Sequence, residues 1–310
     1  MLAVSHNDCD GVCSVAIFYK AMKTSRIPTY FTSVNGFKDT LCRAMVGRSL
    51  DELYVFDITG SRETVRIASA FSKTIWIDHH EWDVFAGCER VECFGNVKFV
   101  VERARSACEL VGKYFNIESE MIELANQVDT NEIRCEDAEF LRDVVGAVKW
   151  KFSKNYVELN KKLRNLARDL AFNSLEELQT NQSLFNLVSE YREYLKTAEA
   201  RILHKINVKD VNGLRIAIYE SLDFVPVHLI CNKLKEHELA PFDVIAVMFH
   251  RKDRLGRIST KLELRTHTNK EVIKIARMLK GGGHTIAAGA TINRLFTGSQ
   301  FEDLIKEIEL

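Results

Sequence analysis

In the first half of the chain, short apolar runs of strand length alternate with segments of helical periodicity, and this alternation restricts the fold more than any other feature. It is typical of a parallel sheet flanked by helices. The predicted strands lie at 2–5, 29–33, 53–56, 74–77 and 97–101, and the helical patterns lie at 12–24, 36–47, 61–72, 106–116 and 119–128. We therefore predict a doubly wound, mainly parallel α/β domain at 1–150.

The second half of the chain changes character. Residues 151–206 are charged and helical in pattern, without a strand signal, which predicts a helical connector. Further strands are predicted at 214–220, 242–250 and 258–265, and further helices at 225–237 and 269–279. A smaller α/β domain is therefore expected at 207–310.

The composition is that of an ordinary globular protein and argues against several other classes. The chain has 310 residues, of which 46% are apolar, and no apolar run approaches the ~20 residues of a membrane span. The start of the chain lacks a signal-peptide pattern, so we expect a cytoplasmic protein that does not bind membranes. The eight cysteines form neither a disulfide framework nor a paired zinc motif, and only Cys88 and Cys93 leave a metal-binding alternative.

The charges balance overall but are divided between the two halves. Residues 1–150 hold 17 basic and 23 acidic side chains, whereas residues 151–310 hold 26 and 20. An acidic metal-binding half and a basic anion-binding half would give this division, as would chance variation among solvated side chains. The zero net charge argues against a footprint on long nucleic acid.

Ligand-type side chains follow the first predicted strand, in residues 6–11. Alternate residues of an extended chain point to one side, which would bring His6, Asp8 and Asp10 together. Gly11 would then permit a turn into a helix beginning at Val12, whose amides could attract a phosphate. These residues predict a metal site, with a solvated helix cap as the alternative.

Similar side chains end two other predicted strands. Asp57 ends the third strand, and Asp78, His79 and His80 end the fourth. Because open α/β sheets place their ligands at the carboxyl ends of strands, all of these residues should converge. Asp129 closes a helical pattern, where its charge opposes the helix dipole and either a cation or water would offset it.

Taken together, these segments resemble the four motifs of the DHH phosphoesterase family in order and spacing. The matching residues are His6, Asp8, Asp10 and Gly11, then Asp57, then Asp78, His79 and His80, then Asp129 and Thr130. The segment at 281–289 resembles the GGGH signature of the associated C-terminal domain, so the resemblance covers essentially the whole chain. Taken as a whole, the motifs resemble those of RecJ-like and nanoRNase-like members of archaeal type. The spacing of His6 and Asp8 is similar to that in archaeal RecJ-like members, whereas several other branches place this histidine two residues earlier.

The resemblance implies a centre of two cations. The ligands of the first would be His6, Asp8 and Asp57, and those of the second would be Asp10, Asp57, His79 and Asp129. Oxygen and imidazole ligands suit two Mn²⁺ ions, with Mg²⁺ or Co²⁺ as substitutes. Asp78 and His80 would act catalytically beside the ligands, Asp78 by orienting one of them and His80 by contacting the substrate phosphate.

The resemblance also implies substrate-binding residues in the C-terminal domain. They are Arg265, Gly281, Gly282, Gly283 and His284. The glycine amides could form an anion-binding nest, although a glycine turn before a small-residue strand at 287–292 is the alternative. In the same way, Ser106 and Glu109 match a family segment, but a helix-capping box explains their spacing.

The expected activity is hydrolysis of short single-stranded oligonucleotides or of linear or cyclic dinucleotides by a metal-activated water. Two cations can lower the pKa of a water and neutralise charge on phosphoryl oxygens. The alternatives are a pyrophosphate or polyphosphate hydrolase, or a non-catalytic, RecJ-derived partner of the replicative helicase. The expected partner is a short nucleic acid or nucleotide, and a homodimer is a candidate assembly.

Overall fold

The computed structural model describes residues 1–48, 50–82, 95–252 and 256–308. Cys88 and Cys93, the cysteine pair of the metal-binding alternative, lie outside these residues. The chain forms two compact units, 1–192 and 193–310. In the described part of the chain, no helix combines the length and the apolar character needed to span a bilayer.

The first unit alternates strands and helices and then becomes wholly helical. Its strands are β1 (Leu2–His6), β2 (Thr29–Thr32), β3 (Glu52–Phe56), β4 (Lys73–Asp78) and β5 (Val97–Val101). Its helices are α1 (Cys9–Met22), α2 (Phe37–Met45), α3 (Arg62–Ala68), α4 (Ala107–Phe115), α5 (Glu120–Asp129), α6 (Glu136–Phe152), α7 (Tyr156–Phe172) and α8 (Leu175–Gln179), and α9 (Gln182–Ile202) follows. The unit boundary falls within α9.

The five strands of the first unit form one parallel sheet in the order β2-β1-β3-β4-β5. The chain reverses its winding direction between β1 and β3, and this is the position where open α/β sheets leave a crevice for ligands. Strands β1, β3 and β4 are buried on both faces, which explains their continuous apolar runs. The predicted doubly wound fold is confirmed.

The second unit is built on a mixed sheet of six strands in the order β10-β11-β9-β8-β7-β6. The strands are β6 (Ile206–Val211), β7 (Leu214–Ser221), β8 (Val244–Lys252), β9 (Ile258–Arg265), β10 (Gly282–His284) and β11 (Ala287–Ile292). The helices are α10 (Val227–Lys235), α11 (Val272–Met278) and α12 (Gly298–Lys306). One face of the sheet packs against α10, and the other packs against α11 and α12.

The sequence did not reveal every element of the second unit. Strand β6 was not predicted because its alternation is short: Ile206 and Val208 are only partly buried, and the pattern breaks at the two charged residues Lys209 and Asp210. Helix α12 also escaped, although Thr297 and Gln300 form a capping box at its start. The smaller α/β architecture was nevertheless predicted correctly.

Candidate metal centre

The loop after β1 is shorter than the sequence suggested. Helix α1 begins at Cys9 rather than at Val12, and Asp8 caps it by accepting a hydrogen bond from the Gly11 amide at 3.0 Å. The prediction that residues 6–10 form one extended segment is therefore wrong, because capping starts the helix first. Gly11 is required here, since an added Cβ would lie 2.3 Å from the His6 carbonyl oxygen.

Asp10 lies in the first turn of α1 and is buried. Its carboxylate accepts hydrogen bonds from the first two amides of α4, from Ala107 at 2.6 Å and from Cys108 at 2.8 Å. The N-terminus of α4 thus stabilises the negative charge of Asp10. Ser106 caps the same helix, as predicted, but the carboxylate of Glu109 pairs with Lys113 instead of completing a capping box.

Asp57 follows β3 with a left-handed backbone, φ 55°, and its side chain is buried. Residues other than glycine seldom adopt this backbone conformation, and those that do are concentrated at functional sites. Its Oδ2 lies 3.6 Å from His6 Nδ1, whereas its Oδ1 lies 3.6 Å from His79 Nε2. The two oxygens of Asp57 therefore face two different sets of ligand-type side chains.

His79 lies at the centre of one of these sets. Its Nδ1 is 3.3 Å from the Ala104 carbonyl oxygen, so Nδ1 carries the proton and the Nε2 lone pair faces the other way. Nε2 is 3.6 Å from one carboxylate oxygen each of Asp10, Asp57 and Asp129. A lone pair that faces three carboxylates is an unfavourable arrangement unless a cation lies between them.

The other set contains His6, Asp8 and Asp57, whose ligand atoms all lie within 4.8 Å of one another. His6 Nδ1 is 2.6 Å from Asp8 Oδ2. Among the described residues, neither His6 Nδ1 nor Asp57 Oδ2 makes a hydrogen bond of normal geometry, although both atoms are buried. Buried polar atoms of this kind normally have partners, and a metal would provide one.

Asp78 and His80 form a network beside these sets. Asp78 is fully buried, and its Oδ1 accepts from the His79 amide at 3.0 Å and lies 2.7 Å from His80 Nδ1. The indole N–H of Trp82 donates to Asp78 Oδ2 at 2.5 Å. Trp76, which packs edge-on against Trp82, donates to the carbonyl oxygen of Ile58, the residue after Asp57. Sequence reasoning missed both tryptophans, because apolar burial alone accounts for their positions.

The electrostatics of the site favour a bound cation. Burial raises the pKa of Asp57 well above its usual range, and repulsion by Asp8 and Asp10 adds to the effect. Burial and the same two carboxylates raise the pKa of Asp129. Burial acts to raise the pKa of Asp8 as well, but attraction by His6 outweighs it and lowers that pKa. A divalent cation would relieve the repulsion among these carboxylates.

His80 carries a positive charge near neutral pH. Burial acts to lower its pKa, but the contact with Asp78 outweighs burial and raises the pKa to about 9. Burial likewise acts to raise the pKa of Asp78, and the His80 charge lowers it. The pair therefore offers a protonated imidazole at the edge of the carboxylate cluster.

The residues of the cluster fit two hard divalent cations. Two ligand atoms on one ion, each at about 2.1 Å, lie about 3.0–3.5 Å apart, and the distances from His79 Nε2 to its carboxylates are close to this range. Oxygen and imidazole donors suit Mn²⁺ and exclude a thiolate site. The structure thus brings together the six predicted ligands His6, Asp8, Asp10, Asp57, His79 and Asp129.

The predicted substrate-binding residues lie in the second unit. Arg265 ends β9, and its side chain donates to the Leu264 carbonyl oxygen at 2.8 Å. Gly282, Gly283 and His284 form the edge strand β10, which pairs with β11. Two of the three glycines therefore belong to a strand hairpin, and Gly281 lies just before it, where its amide donates to the Ala276 carbonyl oxygen at 2.8 Å. In the register of the sheet, His284 pairs with Ala287, which pairs with Arg265.

The second unit is the part of the chain that matches a known family. Residues 217–310 match the family described as the DHHA1 domain. Among proteins of curated function, none matches this chain in sequence. The predicted resemblance is confirmed for the fold and for the C-terminal domain.

Three solved structures show how far the likeness in fold extends. The pGpG-specific phosphodiesterase PggH from Vibrio cholerae is 11% identical with a TM-score of 0.59, and the match covers 99% of this chain and 97% of that one. A DHH domain described as a member of a family of ribosomal proteins is 15% identical with a TM-score of 0.66, over 99% and 85%. RecJ from Thermus thermophilus in complex with Mn²⁺ is 13% identical with a TM-score of 0.52, over 98% and 50%.

Proposed function

We propose that this protein is a phosphodiesterase that uses two cations, Mn²⁺ by preference, to hydrolyse short single-stranded oligonucleotides or linear or cyclic dinucleotides. The observation that carries the proposal is the position of Asp57, whose two oxygens face two sets of hard ligands. Relatives in fold include a pGpG-specific phosphodiesterase and a RecJ in complex with Mn²⁺, and both favour a nucleotide phosphodiester as substrate.

The six proposed ligand residues would form two metal sites that share Asp57. His6, Asp8 and Asp57 would hold one, and Asp10, Asp57, His79 and Asp129 would hold the other. When bound, the pair would activate a water and neutralise charge on the phosphoryl oxygens. No cysteine or serine is required as a nucleophile.

The neighbouring residues keep this arrangement in place. The amides of α4 orient the Asp10 carboxylate, and the Ala104 carbonyl oxygen orients the ring of His79. Asp78 holds His80 Nδ1, so that the protonated ring of His80 can donate from Nε2 to a phosphate oxygen or to the leaving oxygen. His80 would thus be able to move a proton during the reaction.

A panel of substrates tests the proposal. We expect Mn²⁺-dependent hydrolysis of pApA, of a cyclic dinucleotide or of RNA and DNA oligonucleotides shorter than about six residues, with much slower turnover of long strands because the chain has no net positive charge. Pyrophosphate and polyphosphate in the same panel test the main alternative. Turnover of pyrophosphate alone, or of no phosphate ester at all, contradicts the proposal.

A mutation of Arg265 separates substrate binding from the metal centre. Arg265→Ala should lower kcat/KM for a dinucleotide by about thirtyfold to a thousandfold, because a charge-assisted contact to phosphate is lost. Bound Mn²⁺, counted by elemental analysis, should not change, since every proposed ligand lies in residues 6–129. Lys274→Ala, which removes an exposed cation paired with Glu271 on α11, is the matched control. Loss of metal in Arg265→Ala, or an equal loss of activity in the control, counts against the role.

A further inference from the structure

Strand β9 carries three charged side chains on one face of its sheet. Lys261, Glu263 and Arg265 alternate with the buried residues Leu262 and Leu264. The three charged side chains are only partly exposed, so they lie on the sheet rather than extending fully into solvent. We name this face, with the facing residues of β11, the β9 platform.

The neighbouring strand β11 adds little bulk to the β9 platform beside Glu263 and Arg265. Gly289 pairs with Glu263, and Ala287 pairs with Arg265. Gly289 cannot be replaced by a larger residue, because an added Cβ would lie 2.8 Å from the Leu262 carbonyl oxygen. The same Cβ would lie 3.4 Å from Glu263 Oε2. Glycine at this position therefore leaves space directly beside that oxygen.

Glu263 is an ionised carboxylate between two cations. Its Oε1 lies 2.6 Å from Lys261 Nζ, whereas its Oε2 lies 3.5 Å from Arg265 Nη1, a long contact. Burial acts to raise the pKa of Glu263, but Lys261 and Arg265 outweigh burial and lower it. The side chain is 18% exposed, so Oε2 keeps lone pairs that can accept a further hydrogen bond.

A carboxylate in this position restricts what the β9 platform can bind. A phosphodiester offers only acceptor oxygens, so Glu263 repels it and Arg265 must bind it. Glu263 can bind only a donor, and a nucleotide has donors on its ribose and on its base. Because Glu263 and Arg265 are in contact, the donor must lie close to the phosphate. The ribose 2′-hydroxyl beside a 3′-linked phosphate meets this condition, since the neighbouring 3′-oxygen is then esterified, whereas base N–H groups lie farther from that phosphate.

We infer that Glu263 accepts a hydrogen bond from the 2′-hydroxyl of the nucleotide whose phosphate Arg265 binds, and that it thereby selects ribonucleotides over deoxyribonucleotides. The inference rests on the proposed function and extends it to the sugar. The 2′-hydroxyl is the group by which proteins distinguish RNA from DNA, and acidic side chains bind ribose hydroxyls in other nucleotide sites. If Glu263 instead served only to neutralise Lys261 and Arg265, its loss would not change the selectivity for the sugar.

The test compares 5′-phosphorylated diadenylate with its deoxy form, both with Mn²⁺. We expect the parent protein to hydrolyse the ribose form with a kcat/KM at least about tenfold higher, the value of one hydrogen bond to a charged group. Glu263→Gln should lower the ribose value by about tenfold and change the deoxy value by no more than about twofold. Glu271→Gln, which removes an exposed carboxylate of the same unit, should keep the parent ratio.

Three results overturn the inference. One is equal hydrolysis of the two sugars by the parent protein, and another is an unchanged ratio in Glu263→Gln. If Glu263→Gln does not fold, Glu263→Asp shortens the reach of the carboxylate and should also lower the ratio, so an unchanged ratio there is the third. Failure of the proposed function gives a different result, because the parent protein then hydrolyses neither dinucleotide. The inference about sugar selectivity fails together with the proposed function in that case.

Discussion

Asp57→Asn should reduce Mn²⁺-dependent hydrolysis by about a thousandfold or more, because the loss of one charge disturbs two metal sites together. Asparagine tolerates the left-handed backbone that Asp57 adopts, so the substitution changes the charge and leaves the local fold intact. Elemental analysis of the purified variant should find fewer bound metal ions. Activity and metal content should therefore fall together.

Two further variants make this result specific to Asp57. Asp39→Asn removes an exposed carboxylate from the first turn of α2 and should leave both readouts unchanged. His80→Ala should lower activity less than Asp57→Asn and should retain the metals, because His80 is proposed to contact the substrate and not the metals. Equal metal content in Asp57→Asn and the parent protein would contradict the bridging role of Asp57.

The sequence was sufficient to predict the convergence of the proposed ligands that follow strands, and the reason is topological, whereas Asp129 follows a helix and was included only through the family resemblance. Parallel strands end at the same edge of a sheet, so side chains that follow β1, β3 and β4 must meet once the strands are identified. The local conformation could not be predicted with the same rules. Asp8 caps α1 and Asp10 lies inside this helix. The sequence was compatible with a helix cap and with an extended segment at these residues, and it does not determine which of the two forms.

The other features that were not predicted from the sequence depend on contacts between residues that are distant in the chain. The bonds from Asp10 to the amides of α4 join residues 97 and 98 positions apart. The hydrogen bonds made by Trp76 and Trp82 depend on the packing of the core, which apolar periodicity alone does not specify. Strand β10 was also hidden, because its glycines favour a turn by propensity and become a strand only by pairing with β11.

Removal of the bound metal should abolish hydrolysis, and its return should restore it. The proposed nucleophile is a water activated by the cations, so no residual activity is expected after dialysis against a chelator. Added Mn²⁺ should restore activity and raise the Tm of the protein by about 5 °C at saturating concentration, as expected for a ligand that binds only the folded state. Hydrolysis that persists in a chelator contradicts a metal mechanism.

The gain in Tm should itself depend on pH, with a sign that follows from the carboxylates. Asp57 and Asp129 have raised pKa values in the fold. Without metal, the folded protein therefore holds their protons more tightly than the unfolded chain does, and the free energy of unfolding falls as the pH rises above about 4. Mn²⁺ binds their ionised forms and must displace protons at low pH. Asp8, whose pKa is lowered, stays ionised in this window. The rise in Tm caused by Mn²⁺ should thus be small near about pH 5 and large near about pH 8, and a rise independent of pH would show that these carboxylates do not hold the metal.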